Sequence, residues 1–312
     1  MTLRGRGARE TRMAQEARAR PAGPGRETGG RPVTVRVQRV RRDHARRRLV
    51  AFALLALALV LVAVLARRLC PYDPDAQSFY GLLPPGPAHL AGTDRYGRDL
   101  LSRILVGLQT SVLATLALVA IITVVGTAVG VVCGYAGGLA DSVMMRVSDV
   151  CLAFPGLVFA LAIAAVLNGG LHNAVLALAV ISWPKYARIA RSQTLAVAGT
   201  TYVDAARLAG DTPVQVIVRH VLPNIMGPIL VTAMLDIGTM MMELAGLSFL
   251  GLGAQPPTAE LGNMMSSGRS MLQTYPWVVM APGVAIFVAV AIFNLLGDAV
   301  RDYLDPRNAL GR

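Results

Sequence analysis

Two acidic residues inside an apolar stretch are the first candidates for chemistry in this chain. Asp236 and Glu243 are the only charged residues between Ile225 and Gly253, and their seven-residue spacing places both carboxyls on one face of a helix. Such a pair could relay protons through a membrane. Because a relay usually needs several ionisable groups, we favour a polar lining of a solute path or a structural hydrogen bond.

Other kinds of chemistry find no support in the residue pattern. The one lysine, Lys185, is followed by Tyr186, so the Gly-Lys-Ser/Thr sequence of a phosphate-binding loop is absent. The cysteines and histidines have neither metal-ligand nor redox spacing; they are Cys70, Cys133, Cys151, His44, His89, His172 and His220. We therefore expect no enzyme activity, no catalytic residue, no metal and no bound cofactor.

The composition predicts an all-α integral membrane protein. Hydrophobic residues make up 54% of the 312 residues and charged residues only 15%, which is too apolar for a soluble domain of this length. Uncharged runs long enough to cross a bilayer divide residues 46–312 into six transmembrane helices. The predicted spans are about 49–68, 104–134, 149–167, 174–194, 225–250 and 278–297.

The first 45 residues differ in character from the rest. Residues 1–48 contain 15 arginines and four acidic residues, and a Pro/Gly/Arg-rich segment of this kind cannot bury enough apolar surface to fold. We expect residues 1–45 to form a disordered basic tail. Binding of nucleic acid or anionic lipid, and a start codon assigned too far upstream, are the alternatives, and no nucleic-acid partner is expected.

The distribution of basic residues predicts how the helices are oriented. Arg46, Arg47 and Arg48 directly precede the first span, as expected for a cytosolic segment under the positive-inside rule. With six spans, both termini then lie in the cytosol. The predicted location is the inner or plasma membrane.

A polar interruption between the fourth and fifth spans is the most informative segment. Residues 185–223 contain a helical stretch of about two turns from Tyr202 to Ala209, then Gly210 and a turn at residues 211–213. A glycine is well suited to end a helix in this way. Because such a soluble element is unusual between spans, we interpret residues 195–224 as a cytosolic loop to which another protein binds.

This segment resembles the loop that defines the permeases of ABC importers. That loop has an acidic residue, two alanines, a glycine four residues later and Leu-Pro about a dozen residues beyond. The matching positions here are Asp204, Ala205, Ala206, Gly210, Leu222 and Pro223. The sequence departs from the pattern at Asp204, where Glu is usual, and at His220, where an aliphatic residue is usual.

Three further segments resemble the second-subunit type of dipeptide, oligopeptide and nickel permeases. They lie at residues 247–258, at residues 293–307 and in a signature loop after the first span, formed by Gly92, Thr93, Asp94, Arg95, Tyr96, Gly97, Arg98 and Asp99. The four segments occur in the family's order, and the resemblance covers residues 45–308. The signature loop also reads as a tight, salt-bridged turn before the second span, and Gly126, Gly130 and Gly134 as a helix-packing ridge.

The resemblance implies a type I ABC importer permease fold and a set of partners. These are a second, different permease subunit, two cytosolic ATPases that bind ATP and Mg²⁺, an extracytoplasmic solute-binding protein and membrane lipid. The segment from Asp204 to Gly210 would act as the ATPase-coupling helix.

The resemblance leaves the transported solute open. Short peptides are the expected solute, since they are the commonest in the family. Nickel or a metal chelate is the alternative, because residues 235–241 resemble the nickel subgroup. A proton-coupled secondary transporter is the more distant alternative, although the sequence shows no internal repeats that would support it.

Overall fold

The computed structural model describes the backbone of residues 33–304 and the side chains of residues 45–304. The chain divides into two units, residues 1–40 and residues 41–312. In the first unit only residues 33–40 are described, and they are helical. The expected tail therefore lies largely outside the described residues, and the first helix begins within it, at Val33.

Within residues 33–304 the regular structure is helical, with a single isolated β-bridge between Thr93 and Asp99. We number the α-helices in chain order. They are α1 Val33–Val64, α2 Ala66–Leu69, α3 Leu100–Ala136, α4 Gly138–Ala153, α5 Gly156–Val166, α6 Leu171–Ala198, α7 Thr201–Leu208, α8 Pro213–Val216, α9 Leu222–Phe249, α10 Leu261–Gly268 and α11 Trp277–Leu304.

Four stretches of the described chain are long and apolar enough to cross a membrane. They are residues 45–64 of α1, all of α3, the continuous stretch from α8 through α9, and α11. They correspond to the predicted first, second, fifth and sixth spans. The predicted third span, 149–167, is not one straight helix, because α4 and α5 meet at a bend of 96° and together form a broken span or a re-entrant loop.

The bend between α4 and α5 has a local cause. Proline lacks a backbone N–H and disfavours helical geometry in the residue before it. Phe154 accordingly adopts an extended conformation, and Pro155 precedes the first residue of α5. The uncharged run of residues is therefore interrupted by backbone geometry, which hydropathy does not register.

The predicted fourth span, 174–194, lies inside the 28-residue helix α6. This helix is less apolar than the four spans above, because its second half carries Lys185, Arg188 and Arg191. The polar interruption expected to start at Lys185 is thus helical as far as Ala198. The six-span count stays a prediction, with α6 and the bent pair as the two members that composition alone does not establish.

Close packing of α3 on α6 forms the centre of the molecule. A Cβ at Gly126 would lie 2.5 Å from the carbonyl oxygen of Trp183, and one at Gly130 would collide with that of Ala187. Gly134 continues the same ridge one turn later. The small-residue ridge therefore packs helix against helix, as the sequence indicated.

The second half of the bundle is built around α9. This helix packs mainly on α11 and also contacts α3, α6 and α10. Two close approaches hold it there, since a Cβ at Gly238 would collide with Asn294 and a Cβ at Gly297 would meet the backbone of Leu235 at 3.0 Å. The surface segment between α6 and α9 is thus attached to two helices of one packed bundle.

Candidate functional site: the surface helix α7 and three buried polar clusters

The short helix α7 presents most of its side chains to solvent. Val203 is fully buried and anchors the helix, whereas Asp204 and Ala205 are exposed and Ala206 is half-buried. Leu208, in the last turn, is 90% exposed. Asp204 lies in the first turn, where a carboxylate interacts favourably with the helix dipole. The predicted helix is present, and its two alanines leave a flat, narrow surface.

Gly210 ends this helix in a left-handed conformation, with φ of +95°. The N–H of Gly210 donates to the carbonyl of Arg207, and the N–H of Asp211 donates to that of Ala206, each at 3.1 Å. This pair of bonds is a Schellman motif, in which the residue with positive φ is usually glycine. The backbone role predicted for Gly210 is therefore the one it has.

The return of the chain into the bundle is also defined by backbone chemistry. Thr212 and Gln215 cap the start of α8 by bonding each other's backbone N–H groups. A π-helical turn, Ile217–Val221, follows, in which the N–H of Leu222 donates to the carbonyl five residues earlier. The next residue, Pro223, has no N–H to donate and lies in the first turn of α9, which begins at Leu222.

His220, one of the two departures from the family pattern, lies in a network that joins the two ends of the loop. Its Nε2 lies 3.1 Å from an oxygen of Asp211, and its carbonyl accepts a 2.7 Å hydrogen bond from Asn224 Nδ2. The same amide donates to the hydroxyl of Tyr202 at 3.0 Å. This network braces α7 against the start of α9.

The outer surface of this segment is both apolar and charged. Asp204 and Arg207 form an ion pair with an N–O distance of 3.1 Å. The exposed apolar side chains of the same segment are those of Tyr202, Leu208, Val214 and Val218. Exposed apolar groups accompanied by charged ones are typical of surfaces that bind another protein.

The two intramembrane carboxyls occupy different environments. Asp236 is buried, and its oxygens accept hydrogen bonds from Lys185 Nζ at 2.6 Å and from the Tyr186 hydroxyl at 2.9 Å. Glu243 is half-buried and makes no hydrogen bond with another side chain within residues 45–304. Asp236 is therefore part of a polar contact between α6 and α9. Lys185 is the exposed member of that contact.

The signature loop after the first span is held by dense polar contacts. One oxygen of Asp94 accepts from the N–H groups of Tyr96 (2.8 Å) and Arg98 (3.0 Å), and the other accepts from Arg98 Nε at 2.6 Å. Arg103 Nε lies 3.9 Å from this second oxygen. Thr93 Oγ1 joins two backbone groups of the preceding loop. The tight, salt-bridged turn indicated by the sequence is what this loop forms.

Asp99 links the signature loop to α3. Its carboxylate caps the helix by accepting from the N–H and the hydroxyl of Ser102, and it lies 2.9 Å from His89 Nδ1. Gly92 and Gly97 have φ of +81° and +72°, and a Cβ at Gly97 would collide with the carbonyl of the preceding loop. The loop is a rigid extramembrane platform at the start of the helix.

Two buried charged residues escaped the sequence analysis. Glu260 is completely buried and accepts from the Ser111 hydroxyl of α3 at 2.9 Å and from two backbone N–H groups at the start of α10. Arg103 donates to Asp75 at 2.9 Å and to the carbonyl of Pro257 at 3.1 Å. The sequence signal for Glu260 was its place directly before an eight-residue helix. No nearby residue pattern indicated that Arg103 would be buried.

No group of three or more His, Cys, Asp or Glu side chains that could hold a metal ion occurs in the described part of the chain. The features above define a class of protein rather than a catalytic centre. They are those of a multi-span helical membrane protein with an exposed helix braced between two bundle helices and a polar platform outside the membrane.

Comparison with known families agrees with that class. Residues 126–309 match the family described as the inner membrane component of binding-protein-dependent transport systems. The probable D,D-dipeptide transport system permease protein DdpC of Escherichia coli K12 is 43% identical over 259 residues, covering 83% of this chain and 87% of that protein. The glutathione transport system permease protein GsiD of Pectobacterium atrosepticum is 42% identical over 260 residues, covering 83% and 86%.

The chain therefore belongs to the family of inner membrane components of binding-protein-dependent transport systems. It is a multi-pass permease subunit. A structure of the MetNI methionine ABC transporter in inward-facing conformations shares the fold, with a TM-score of 0.50, 20% identity, and coverage of 64% of this chain and 94% of that chain. Family membership decides against the secondary transporter considered from the sequence.

Proposed function

We propose that this chain is one of two different permease subunits in an ATP-driven importer of short peptides. The observation that carries the proposal is the exposure of α7, the helix that follows the bundle helix α6. Its last residue, Leu208, is 90% exposed. Exposed apolar side chains beside an ion pair are typical of a surface that binds another protein. The proposed partner is a cytosolic ATPase that binds α7.

Energy would enter the permease mechanically through α7. Two ATPases would close on ATP and Mg²⁺ and draw the two coupling helices together, which favours the outward-facing state of the paired bundles. The Schellman cap at Gly210 and the network of His220 and Asn224 support this role, because they make α7 a stiff extension of α6 and α9. A flexible loop would absorb the movement instead of transmitting it.

The proposed arrangement places α7 and both termini in the cytosol. The signature loop would then lie on the opposite face, where Asp94 and Asp99 fix a platform on which an extracytoplasmic binding protein can dock. This chain would contribute no catalytic residue and no cofactor site, because ATP hydrolysis belongs to the ATPases.

The proposal of a peptide as solute rests on the names of the relatives. One is named for D,D-dipeptides and the other for glutathione, which is itself a short peptide, and neither is named for nickel. We therefore propose short peptides as the solute and retain no separate proposal for a metal chelate.

The coupling role is tested by Gly210→Val. A β-branched residue is strained at φ of +95°, by roughly 1–3 kcal/mol, whereas the site itself is open, with no atom within 4 Å of an added Cβ. The variant is expected to insert into the membrane normally while peptide uptake per ATP hydrolysed falls at least fivefold. The measurement is uptake and ATPase activity of the complete transporter in proteoliposomes.

Gly199→Ala is the matched control, since Gly199 lies just before the same helix with φ of −89° and room for a Cβ. It is expected to leave coupling unchanged. Normal coupling in the Gly210→Val transporter would contradict the proposed role of α7, and uptake by the purified chain without ATPases would contradict the proposed function altogether.

A further inference from the structure

The only lysine of the chain lies at the middle of a bundle helix. Lys185 is fourteen residues from the start of α6 and thirteen from its end, and Asp236 has the same position in α9. At 1.5 Å per residue, each lies about 20 Å from either end of its helix. Both residues also lie near the midpoints of the predicted spans 174–194 and 225–250, which places their contact near the centre of the membrane in the proposed six-span arrangement.

Lys185 and Asp236 are not equally enclosed. The Asp236 side chain is 6% exposed, whereas that of Lys185 is 51% exposed. The face of α6 that packs against α3 runs through Trp183, Ala187 and Ala190, and the helical repeat of 100° per residue places Lys185 on the opposite side. The ammonium group therefore lies on the side of α6 opposite to its contact with α3.

An exposed ammonium at this depth cannot face lipid. Ionisable groups inside a membrane lie almost always towards the bundle interior or a water-filled cavity, because hydrocarbon solvates them poorly. In the predicted span 174–194, Lys185 lies nine or more residues from either end, about 14 Å at 1.5 Å per residue, which is farther than a lysine side chain reaches. In the proposed pair of permease subunits, the exposed side of α6 at this level therefore faces the second subunit and the aqueous path that the two subunits share.

We propose that Lys185 lines the solute path and binds the carboxylate of the transported peptide. This inference rests on the proposed import of short peptides, each of which carries a terminal carboxylate at neutral pH. A lysine ammonium has three donors, and Asp236 accepts one of them at 2.6 Å. Two donors remain for the oxygens of a carboxylate.

Asp236 and Tyr186 act as positioning residues for that ammonium. The Tyr186 hydroxyl holds the second oxygen of Asp236 at 2.9 Å, so the carboxylate of Asp236 is fixed from the packed side of α6. The fixed negative charge moderates the attraction of Lys185 for the solute. Moderate binding suits a path, since the solute has to leave as well as enter.

The test uses the complete transporter in proteoliposomes, with its ATPases, second permease and binding protein. The probes are labelled alanyl-alanine and its C-terminal amide. The double variant Lys185→Gln/Asp236→Asn removes both charges, so that no buried carboxylate is left unpaired. It is expected to reduce the preference for the free carboxylate over the amide roughly tenfold relative to the natural transporter, whereas Lys185→Arg retains the preference.

The matched control is Arg188→Gln/Asp149→Asn, which removes the ion pair formed by the next charged residue of the same helix. It is expected to leave the preference unchanged. A second measurement uses Lys185→Cys/Asp236→Asn with the three natural cysteines replaced. A membrane-impermeant thiol reagent should label this cysteine during turnover, and alanyl-alanine should slow the labelling.

Three outcomes would overturn the inference while leaving the proposed function intact. They are no labelling by the impermeant reagent, labelling that the dipeptide does not slow, and an unchanged carboxylate preference in the double variant. Failure of the natural transporter to import alanyl-alanine or any other short peptide would instead overturn the proposed function.

Discussion

Gly97 illustrates how single residues shape the platform outside the membrane. It combines φ of +72° with a backbone carbonyl pressed against the place where a side chain would begin. The neighbouring Asp94 accepts from the N–H of Arg98 at 3.0 Å, and Asp99 accepts from the N–H of Ser102 at 2.8 Å. Contacts within the chain are therefore sufficient to set the conformation of the signature loop.

We predict that Gly97→Ala destabilises the protein. Positive φ and the collision with the carbonyl of Phe79 together should cost about 2 kcal/mol or more, and the midpoint of thermal unfolding in detergent should fall. Gly86→Ala, in the same connection between α2 and α3, is the matched control, since the nearest atom to its added Cβ lies at 3.9 Å. Equal unfolding midpoints for the two variants would contradict this account of the loop.

At the scale of elements, the bundle depends on helices that approach one another at glycine. The ridge on α3 lets the backbone of α6 come within contact distance, and α6 in turn carries α7 at its end. The surface helix is thus positioned by packing some distance away. A change in the distance between α3 and α6 should therefore shift the position of α7 relative to the rest of the bundle.

Gly130→Ala tests this packing. The added Cβ would collide with the backbone carbonyl of Ala187, and overpacking of this kind typically costs about 1–3 kcal/mol. Gly227→Ala, in α9, is the control, because nothing lies within 4 Å of its added Cβ and alanine favours the helix. We expect a lower unfolding midpoint only for Gly130→Ala; a similar loss in both variants would remove the ridge as its cause.

At the scale of the whole molecule, the path of the chain through the membrane depends on the bent pair α4 and α5. Tyr80, 85% exposed, precedes α3, and Leu208 follows α6. Three elements lie between these two residues: α3, the bent pair and α6. If each crosses the membrane, the two residues lie on opposite faces; if the bent pair is re-entrant, they lie on the same face.

We predict opposite faces. Tyr80→Cys and Leu208→Cys, each in a chain whose natural cysteines are replaced, should react with an impermeant maleimide from outside and from inside, respectively. The measurement compares intact spheroplasts with inside-out vesicles. Labelling of both cysteines from one side would contradict the six-span arrangement and make the bent pair a re-entrant loop.

The sequence predicted the local features well, because they depend on nearby residues. The end of α7 at Gly210, the tight turn of the signature loop and the packing ridge from Gly126 to Gly134 are all consequences of backbone conformation or small side chains within one segment. The family could be recognised for the same reason, since its motifs are short and occur in order. Sequence alone thus determined a helical membrane permease and the location of its surface helix.

Only the tertiary structure decided which charged groups meet. Lys185 and Asp236 are 51 residues apart in the chain, and Ser111 and Glu260 are 149 apart; no local pattern relates such residues. Hydropathy counts apolar residues in a window, so it could not register the break at Pro155 or the continuation of α6 beyond Lys185. Pairing across helices and bends in the backbone arise from packing, and packing is a property of the folded chain.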